Sequence, residues 1–265
     1  MTVLHTDIAV IGAGTAGLAA YRAARAAGQR AVLIEGGPYG TTCARVGCMP
    51  SKLLIAAAEA AHEARHAAPF GVRVGSVSVD GRAVMARVRA ERDRFVGFVV
   101  EDVEAWPADK RLLGRAKFKD AHTVIVTNQE GEQTQVSAKR IVIATGSRPV
   151  VLPEWQALGE RLIINDDVFS WETLPKSVAV FGTGVIGLEL GQALTRLGVK
   201  VKLFGRGNRI GGISDPSVSA QAVSIFQQEL DVHLDTKTSV RLNDAGQVEV
   251  SYERQGEQGV FEAEY

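Results

Sequence analysis

Aromatic side chains are scarce, at 6% of 265 residues, and cysteine occurs only twice, as Cys43 and Cys48. Neither charge is in excess: 30 Lys and Arg balance 30 Asp and Glu, and the formal net charge is zero. Proteins that bind nucleic acid or anionic membranes normally carry a basic excess, so neither partner fits. A long hydrophobic run is missing too. The longest, Ile8 to Ala20, contains three glycines and is too short to span a bilayer. No basic region precedes it, which argues against a secretory signal and makes a cytoplasmic protein the expectation. Two cysteines are too few for a secreted disulfide scaffold. A bridge between them would close a loop of about six residues, worth only about 2 kcal/mol of loop entropy, so reversible redox chemistry explains such a pair better than stability does. Glycine, by contrast, is plentiful: 28 residues, without low complexity. That points to tight turns and to backbone approaching a ligand. The length suggests about two domains.

The chain contains two similar βαβ patterns. Thr6 to Ile11 suits a buried parallel strand and is followed at once by Gly12-Ala13-Gly14-Thr15-Ala16-Gly17. Leu18 to Ala27 is alanine-rich and helix-forming, Gly28 stops it, and Ala31 to Ile34 is a second buried strand closed by Glu35. This is the dinucleotide fingerprint in its full setting. The glycines permit the strand-to-helix turn, the helix N-terminus favours a pyrophosphate, and Glu35 can accept the ribose hydroxyl protons. The layout recurs with a strand at Ser177–Phe181, the loop Gly182-Thr183-Gly184-Val185-Ile186-Gly187, a helix to Leu197 and a strand at Val199–Phe204. The second strand ends without an acid, in Phe204-Gly205-Arg206-Gly207-Asn208-Arg209. Arg206 and Arg209 form either a solvated basic turn or a site for a ribose 2′-phosphate, so NAD and NADP both stay open. Between the units, Leu53–Ala68 and Gly81–Trp106 read as helices, the latter with a basic face of Arg87, Arg89, Arg92 and Arg94. Arg111–Val136 alternates as strands, and Arg140–Ala144 is a buried strand. The turn Thr145–Pro149 sets the boundary between domains 1–149 and 150–265. Val232–Leu242 and Gln247–Glu253 read as strands, with no closing element after them.

The cysteines lie in Gly40-Thr41-Thr42-Cys43-Ala44-Arg45-Val46-Gly47-Cys48-Met49-Pro50-Ser51-Lys52, directly after the first unit's acid. They open a helix, where the dipole favours thiolate, and Lys52 adds a positive charge one turn beyond Cys48. A dithiol beside a bound flavin is the arrangement that passes two electrons between a disulfide and the flavin.

Residues 40–52 resemble the redox motif of the pyridine nucleotide–disulfide oxidoreductases, flavoenzymes that include dihydrolipoyl dehydrogenase, glutathione reductase and mercuric reductase. The order of motifs is similar as well: first fingerprint, cysteines, Ala144-Thr145-Gly146, second fingerprint. The resemblance implies an α/β fold of two Rossmann-like three-layer nucleotide-binding domains, each with a β-meander. It implies FAD on Gly12, Gly14, Gly17, Glu35, Thr42, Cys43, Lys52, Ala116 and Ala144 to Gly146, and NAD or NADP on Gly182, Gly184, Val185, Ile186, Gly187 and Arg206. Cys48 would face the flavin and Cys43 would exchange with the external disulfide. Lys52 would pair with Glu189. Pro50-Ser51-Lys52 is most similar to dihydrolipoyl dehydrogenases and mercuric reductases, so the implied substrate is a small dithiol or disulfide such as lipoamide, in a role in cellular redox homeostasis. A mercuric reductase or soluble transhydrogenase relative, a thiol redox sensor and a nucleotide-binding fragment without turnover are the other readings.

Three departures stand out. Thr41 replaces a glycine, Arg45 replaces an asparagine and so is expected to lower the cysteine pKa values or reshape substrate access, and the acid after Phe204 is missing. The resemblance also covers only the N-terminal part of the family, without its C-terminal dimerisation domain and the His–Glu pair which that domain supplies across a homodimer. His5, His62, His66, His122 and His233 each read as surface residues. The chain therefore reads as part of a homodimeric parent enzyme.

Overall fold

The computed structural model describes residues 2–254 and 256–265. In chain order the elements are β1 (Thr2–Ile11), α1 (Thr15–Ala26), β2 (Ala31–Glu35), α2 (Thr42–Val46), α3 (Cys48–Arg65), α4 (Gly81–Glu104), β3 (Arg111–Leu113), β4 (Arg115–Asp120), β5 (Thr123–Thr127) and β6 (Gln133–Ile143). Then come β7 (Ser177–Phe181), α5 (Val185–Arg196), β8 (Lys200–Phe204), α6 (Pro216–Gln227), β9 (Asp231–His233), β10 (Lys237–Leu242), β11 (Val248–Arg254) and β12 (Glu257–Ala263). They form two compact units, one of Met1–Met49 with Glu91–Arg148 and one of Pro50–Ala90 with Pro149–Tyr265. Among the described residues no helix is long and apolar enough to cross a membrane.

The first unit is built on a six-stranded sheet in the order β3-β2-β1-β6-β5-β4. Strands β3, β2, β1 and β6 run parallel, while β4, β5 and β6 form an antiparallel meander. Alternate residues of β1 and β2 serve opposite faces, as strand geometry requires. Val10 and Leu33 pack with Leu18, Tyr21 and Ala24 of α1 and Val103 of α4. Ala9, Val32 and Ile34 pack with Val124, Val126 and Val136 of the meander. Burial on both faces is why these strands read as unbroken apolar runs. The result is helix, sheet and meander in three layers, as expected. The strand anticipated at Arg140–Ala144 is the end of the longer β6, whose start pairs with β5 while its length pairs with β1.

The second unit repeats the plan. The parallel sheet β7-β8-β9 carries α5 and α6 on one face, through Leu188, Leu203, Leu230 and Val232. The meander β10-β11-β12 covers the other face, through Phe204, Val250 and Phe261. Three sequence readings change here. Helix α6 was not anticipated, although Asp215 caps it by accepting from the Ser217 and Val218 N–H groups and Pro216 starts it. Val232–Leu242 is two strands, broken where Asp235 takes φ 51°. And β12 closes the meander that the sequence reading left open.

Residues 50–90 group with the second unit, where the sequence-based division places them with the first. Contacts within that unit explain the grouping: Glu59 pairs with Arg196, and the Arg87 and Arg89 guanidiniums donate to the Leu53 and Trp171 carbonyls. The basic face expected on α4 is accordingly dispersed, because Arg92 and Arg94 pair with Asp93 and Glu91.

Candidate active site

In the first unit, β1 ends at Gly12, whose N–H donates to the Ile34 carbonyl over 2.7 Å. Its φ of 108° is a conformation that L side chains rarely adopt, and a Cβ there would also collide with the Ala144 carbonyl oxygen. A Cβ on Gly17 would collide with the Gly12 carbonyl oxygen. These two glycines are required by the protein's own packing. Gly14 is different: a Cβ on it would meet nothing within 4 Å. The fold does not need a glycine there, but a ligand lying against the loop would. No side chain caps α1 at Gly14, so its first N–H groups remain available to an anion. The residues present thus fit a dinucleotide pyrophosphate.

Other anticipated cofactor residues gather at the same strand ends. Glu35 accepts from the Ala13 N–H at 2.6 Å and the Gly37 N–H at 2.8 Å, which holds its carboxylate over the glycine loop. The Ala144 N–H donates to the Ile11 carbonyl, placing Ala144 and Thr145 beside Gly12. The Gly114 N–H donates to the Glu35 carbonyl, so the strand bearing Ala116 starts beside Glu35.

Cys43 lies on α2 and Cys48 opens α3, with no disulfide between them in this structure. Between them, a Cβ on Gly47 would sit 3.3 Å from the Cys43 Cα, so glycine permits the close turn. Thr41 takes φ 55°, where a β-branched residue is strained. Its hydroxyl offsets part of that cost by accepting from the Ala44 N–H as the α2 cap. Burial pushes the Cys43 thiol up, and the hydrogen bond and charge of Cys48 add to this. The N–H groups of Cys48 and Met49 act in the opposite direction but are outweighed. The stem of Arg45 packs over Gly40. Cys48 is exposed and Cys43 half-buried, a fit to a cofactor face covering Cys48. Iodoacetamide at pH 8 should therefore label Cys48 several-fold faster than Cys43 in the reduced, flavin-free chain. Peptide mass spectrometry reads the ratio, and equal labelling would contradict this description of the thiols.

Within the second unit, Lys52 Nζ lies 2.9 Å from Glu189 Oε2. Burial opposes the charge of Glu189, but hydrogen bonds from Ser51 and Lys52 hold its carboxyl below the ordinary range. The Lys52 side chain is 62% exposed, so the pair positions the ammonium more than it stabilises the fold. The second fingerprint copies the first in detail. Gly182 has φ 118° and donates to the Phe204 carbonyl, Gly187 packs on the Gly182 carbonyl, and Gly184 faces open space. Val185 and Ile186, the first residues of α5, are 62% and 57% exposed, an apolar step that suits a covering ligand. Arg206 is exposed on the loop after β8.

The sequence reading missed two features of this unit. One is an apolar cavity of about 530 Å³ flanking the second fingerprint, walled by Trp155, Leu158, Phe181, Ile186 and Tyr265. In so aromatic-poor a chain, its tryptophans were the available signal. The other is a charged cluster in which the Lys202 ammonium pairs with Asp231 and donates to the Tyr252 hydroxyl. His233 bonds Asp231 there, so it is part of a packed cluster rather than a surface residue. Among the described residues no group of His, Cys, Asp and Glu is arranged to hold a metal.

The family model described as pyridine nucleotide-disulphide oxidoreductase matches residues 6–265. The mercuric reductase of Shigella flexneri is 36% identical over 88% of this chain and 42% of its own length. The dihydrolipoyl dehydrogenase of Geobacillus stearothermophilus is 32% identical over 99% of this chain and 55% of its own length. That of Staphylococcus aureus is 34% identical over 99% of this chain and 56% of its own. The chain thus spans about half the length of the curated relatives it matches.

Proposed function

The chain belongs to the pyridine nucleotide–disulphide oxidoreductase family, and from that premise we propose that it is the nucleotide-binding and redox-cysteine portion of a flavoenzyme that moves two electrons between NAD(P)H and a small dithiol or disulfide, with a lipoamide-like dithiol as the substrate. The observation that carries this reading is the interacting Cys43–Cys48 pair, in the same compact unit as a glycine loop whose middle glycine the fold itself does not require. FAD, when bound, supplies a two-electron acceptor and donor.

The chain's residues do the rest. In the dithiol-oxidising direction the cysteines start as a disulfide. A substrate thiolate attacks Cys43 Sγ, the Cys43–Cys48 bond breaks, and Cys48 leaves as a thiolate. The second substrate thiolate then attacks the sulfur of its own partner, displacing Cys43 and closing the substrate disulfide. Two electrons now rest on the two cysteines. In this reading exposed Cys48 hands them on, and half-buried Cys43, whose thiol burial pushes up, keeps the exchange role. Lys52, oriented by Glu189, keeps a positive charge near that end of α3. Gly14 and the uncapped start of α1 would hold the FAD pyrophosphate, and Glu35 its ribose.

The test is an absorption spectrum of the chain loaded with FAD, gel-filtered and reduced anaerobically by two electrons. The expected result is a retained flavin band with a long-wavelength shoulder that Cys48→Ser abolishes and Cys43→Ser does not. A colourless protein after loading, or a shoulder indifferent to Cys48, would overturn the proposal.

A further inference from the structure

The two units can be laid on one another through their own registers. Ile11 pairs with Ile34, and Phe181 pairs with Phe204. The next residues, Gly12 and Gly182, donate to the Ile34 and Phe204 carbonyls respectively. Glu35, whose carboxylate lies over the first glycine loop, therefore corresponds to Gly205. The second unit has no room for an acid at that point. A Cβ on Gly205 would lie 2.8 Å from Thr183 Cγ2, 3.0 Å from its hydroxyl and 3.2 Å from a Leu234 methyl. Thr183 itself stands where Ala13 stands in the first unit, and its side chain fills the space.

Thr183 also holds the loop that leaves β8. Its hydroxyl donates to the Arg209 carbonyl over 2.9 Å, and the Gly211 N–H donates to the Thr183 carbonyl over 2.8 Å. The loop 206–209 is thereby pinned against the glycine turn. Arg206, Asn208 and Arg209 are all exposed on it, and no ion pair neutralises either arginine among the described residues. The next acid along the chain, Asp215, is occupied in capping α6. Asn208 and Arg209, with the hydroxyl-bearing Ser214 and Ser219, edge a cavity of about 510 Å³.

We infer that this loop recognises the 2′-phosphate of an adenine ribose, so that the second unit takes NADP(H) in preference to NAD(H). The inference rests on reading the unit as a nicotinamide-nucleotide site. A free 2′-hydroxyl calls for an acceptor such as Glu35, and the loop offers two guanidiniums instead. A ribose 2′-phosphate is largely dianionic at neutral pH and matches the forked donors of arginine.

Calorimetric titration of the full chain with adenosine 2′,5′-diphosphate and with adenosine 5′-diphosphate tests this without turnover. The 2′,5′ compound should bind at least tenfold more tightly. Arg206→Ala should erase most of that preference while leaving 5′-diphosphate affinity unchanged, and Arg206→Glu should invert it. Both changes are on an exposed side chain, so the fold is kept. Equal affinity for the two compounds, or an Arg206→Ala loss shared equally between them, would overturn the 2′-phosphate assignment and leave the nucleotide site standing. Binding of neither would overturn the nucleotide reading and this inference together.

Discussion

Gly17→Ala should strongly destabilise the first unit, whereas Gly14→Ala should leave its stability unchanged and cost it only the cofactor. The two positions are three residues apart in one loop, and a single added methyl group separates their fates. At Gly17 the new Cβ would be driven into the carbonyl oxygen of Gly12 and against the Ala144 side chain. Neither the carbonyl nor the strand behind it can move freely: the Gly12 N–H is bonded to Ile34, and Ala144 to Ile11. Overpacking typically costs about 1–3 kcal/mol and more where backbone is struck, as it is here, a large part of the roughly 5–15 kcal/mol that holds a domain together. At Gly14 the backbone has φ −74° and ψ −179°, which any residue adopts, and the methyl group would meet open space. What it would obstruct is a pyrophosphate lying on the loop. Hydrogen-exchange mass spectrometry over residues 2–35 gives the stability comparison, and flavin content after gel filtration gives the binding comparison. Retained protection in Gly17→Ala, or full flavin retention in Gly14→Ala, would show that the loop is not the cradle described.

Arg196→Met should destabilise the second unit by about 2–3 kcal/mol at neutral pH. Arg196 is the cation that Glu229 and Glu59 share, and its side chain is only 14% exposed. Gln192 completes the set by donating to Glu229. Removing the guanidinium leaves Glu229 partly buried and without its main partner, a situation that costs more than the intact pair contributes. The same pair makes the unit's stability depend on pH. The hydrogen bond from Arg196, working against burial, holds the Glu229 carboxyl below its ordinary 4.5. The folded unit therefore binds fewer protons than the unfolded chain in that range. Its stabilisation is fully present above about pH 4.5 and is lost as the pH falls further. The variant should show both the lower neutral stability and a flatter acid slope. Urea unfolding followed through Trp155 and Trp171, in a Trp106→Phe background that silences the first unit, reads both. A parallel shift at every pH would mean that Arg196 acts through packing of its stem alone.

How far the chain was legible before its structure depended on the range of the interaction. Gly12, Gly14, Gly17 and Glu35 were readable because strand, turn and helix each leave a pattern within a few residues, and the same held for Gly182 to Gly187. The cysteine segment was readable for the same reason. Helix α6 carries a local signal too, in Asp215-Pro216, although the sequence reading placed no helix there. Other features had no local signal. Arg89 reads as one of four basic residues along a helix face, yet its guanidinium meets the Trp171 carbonyl 82 residues away. Arg45 lies two residues from Cys43, yet nothing beside it in the chain announces that its stem packs over Gly40. His233 reads as exposed, since nothing beside it in the chain announces Asp231 and Lys202 as its neighbours in a packed cluster.

Local pattern alone decided that this is an α/β chain with two glycine-loop units and a dithiol between them. Backbone conformation and hydrophobic period act over a turn of helix or a few strand residues, and both are written where they act. The tertiary structure decided the rest. It put residues 50–90 with the second unit, left Cys48 open and Cys43 half-covered, and tied Lys52 to Glu189. It also showed which glycines the fold itself requires. Through two strand registers 170 residues apart, it set Gly205 in the place of Glu35. Burial and ion pairing depend on what the folded chain brings alongside, and no spacing along the sequence specifies that.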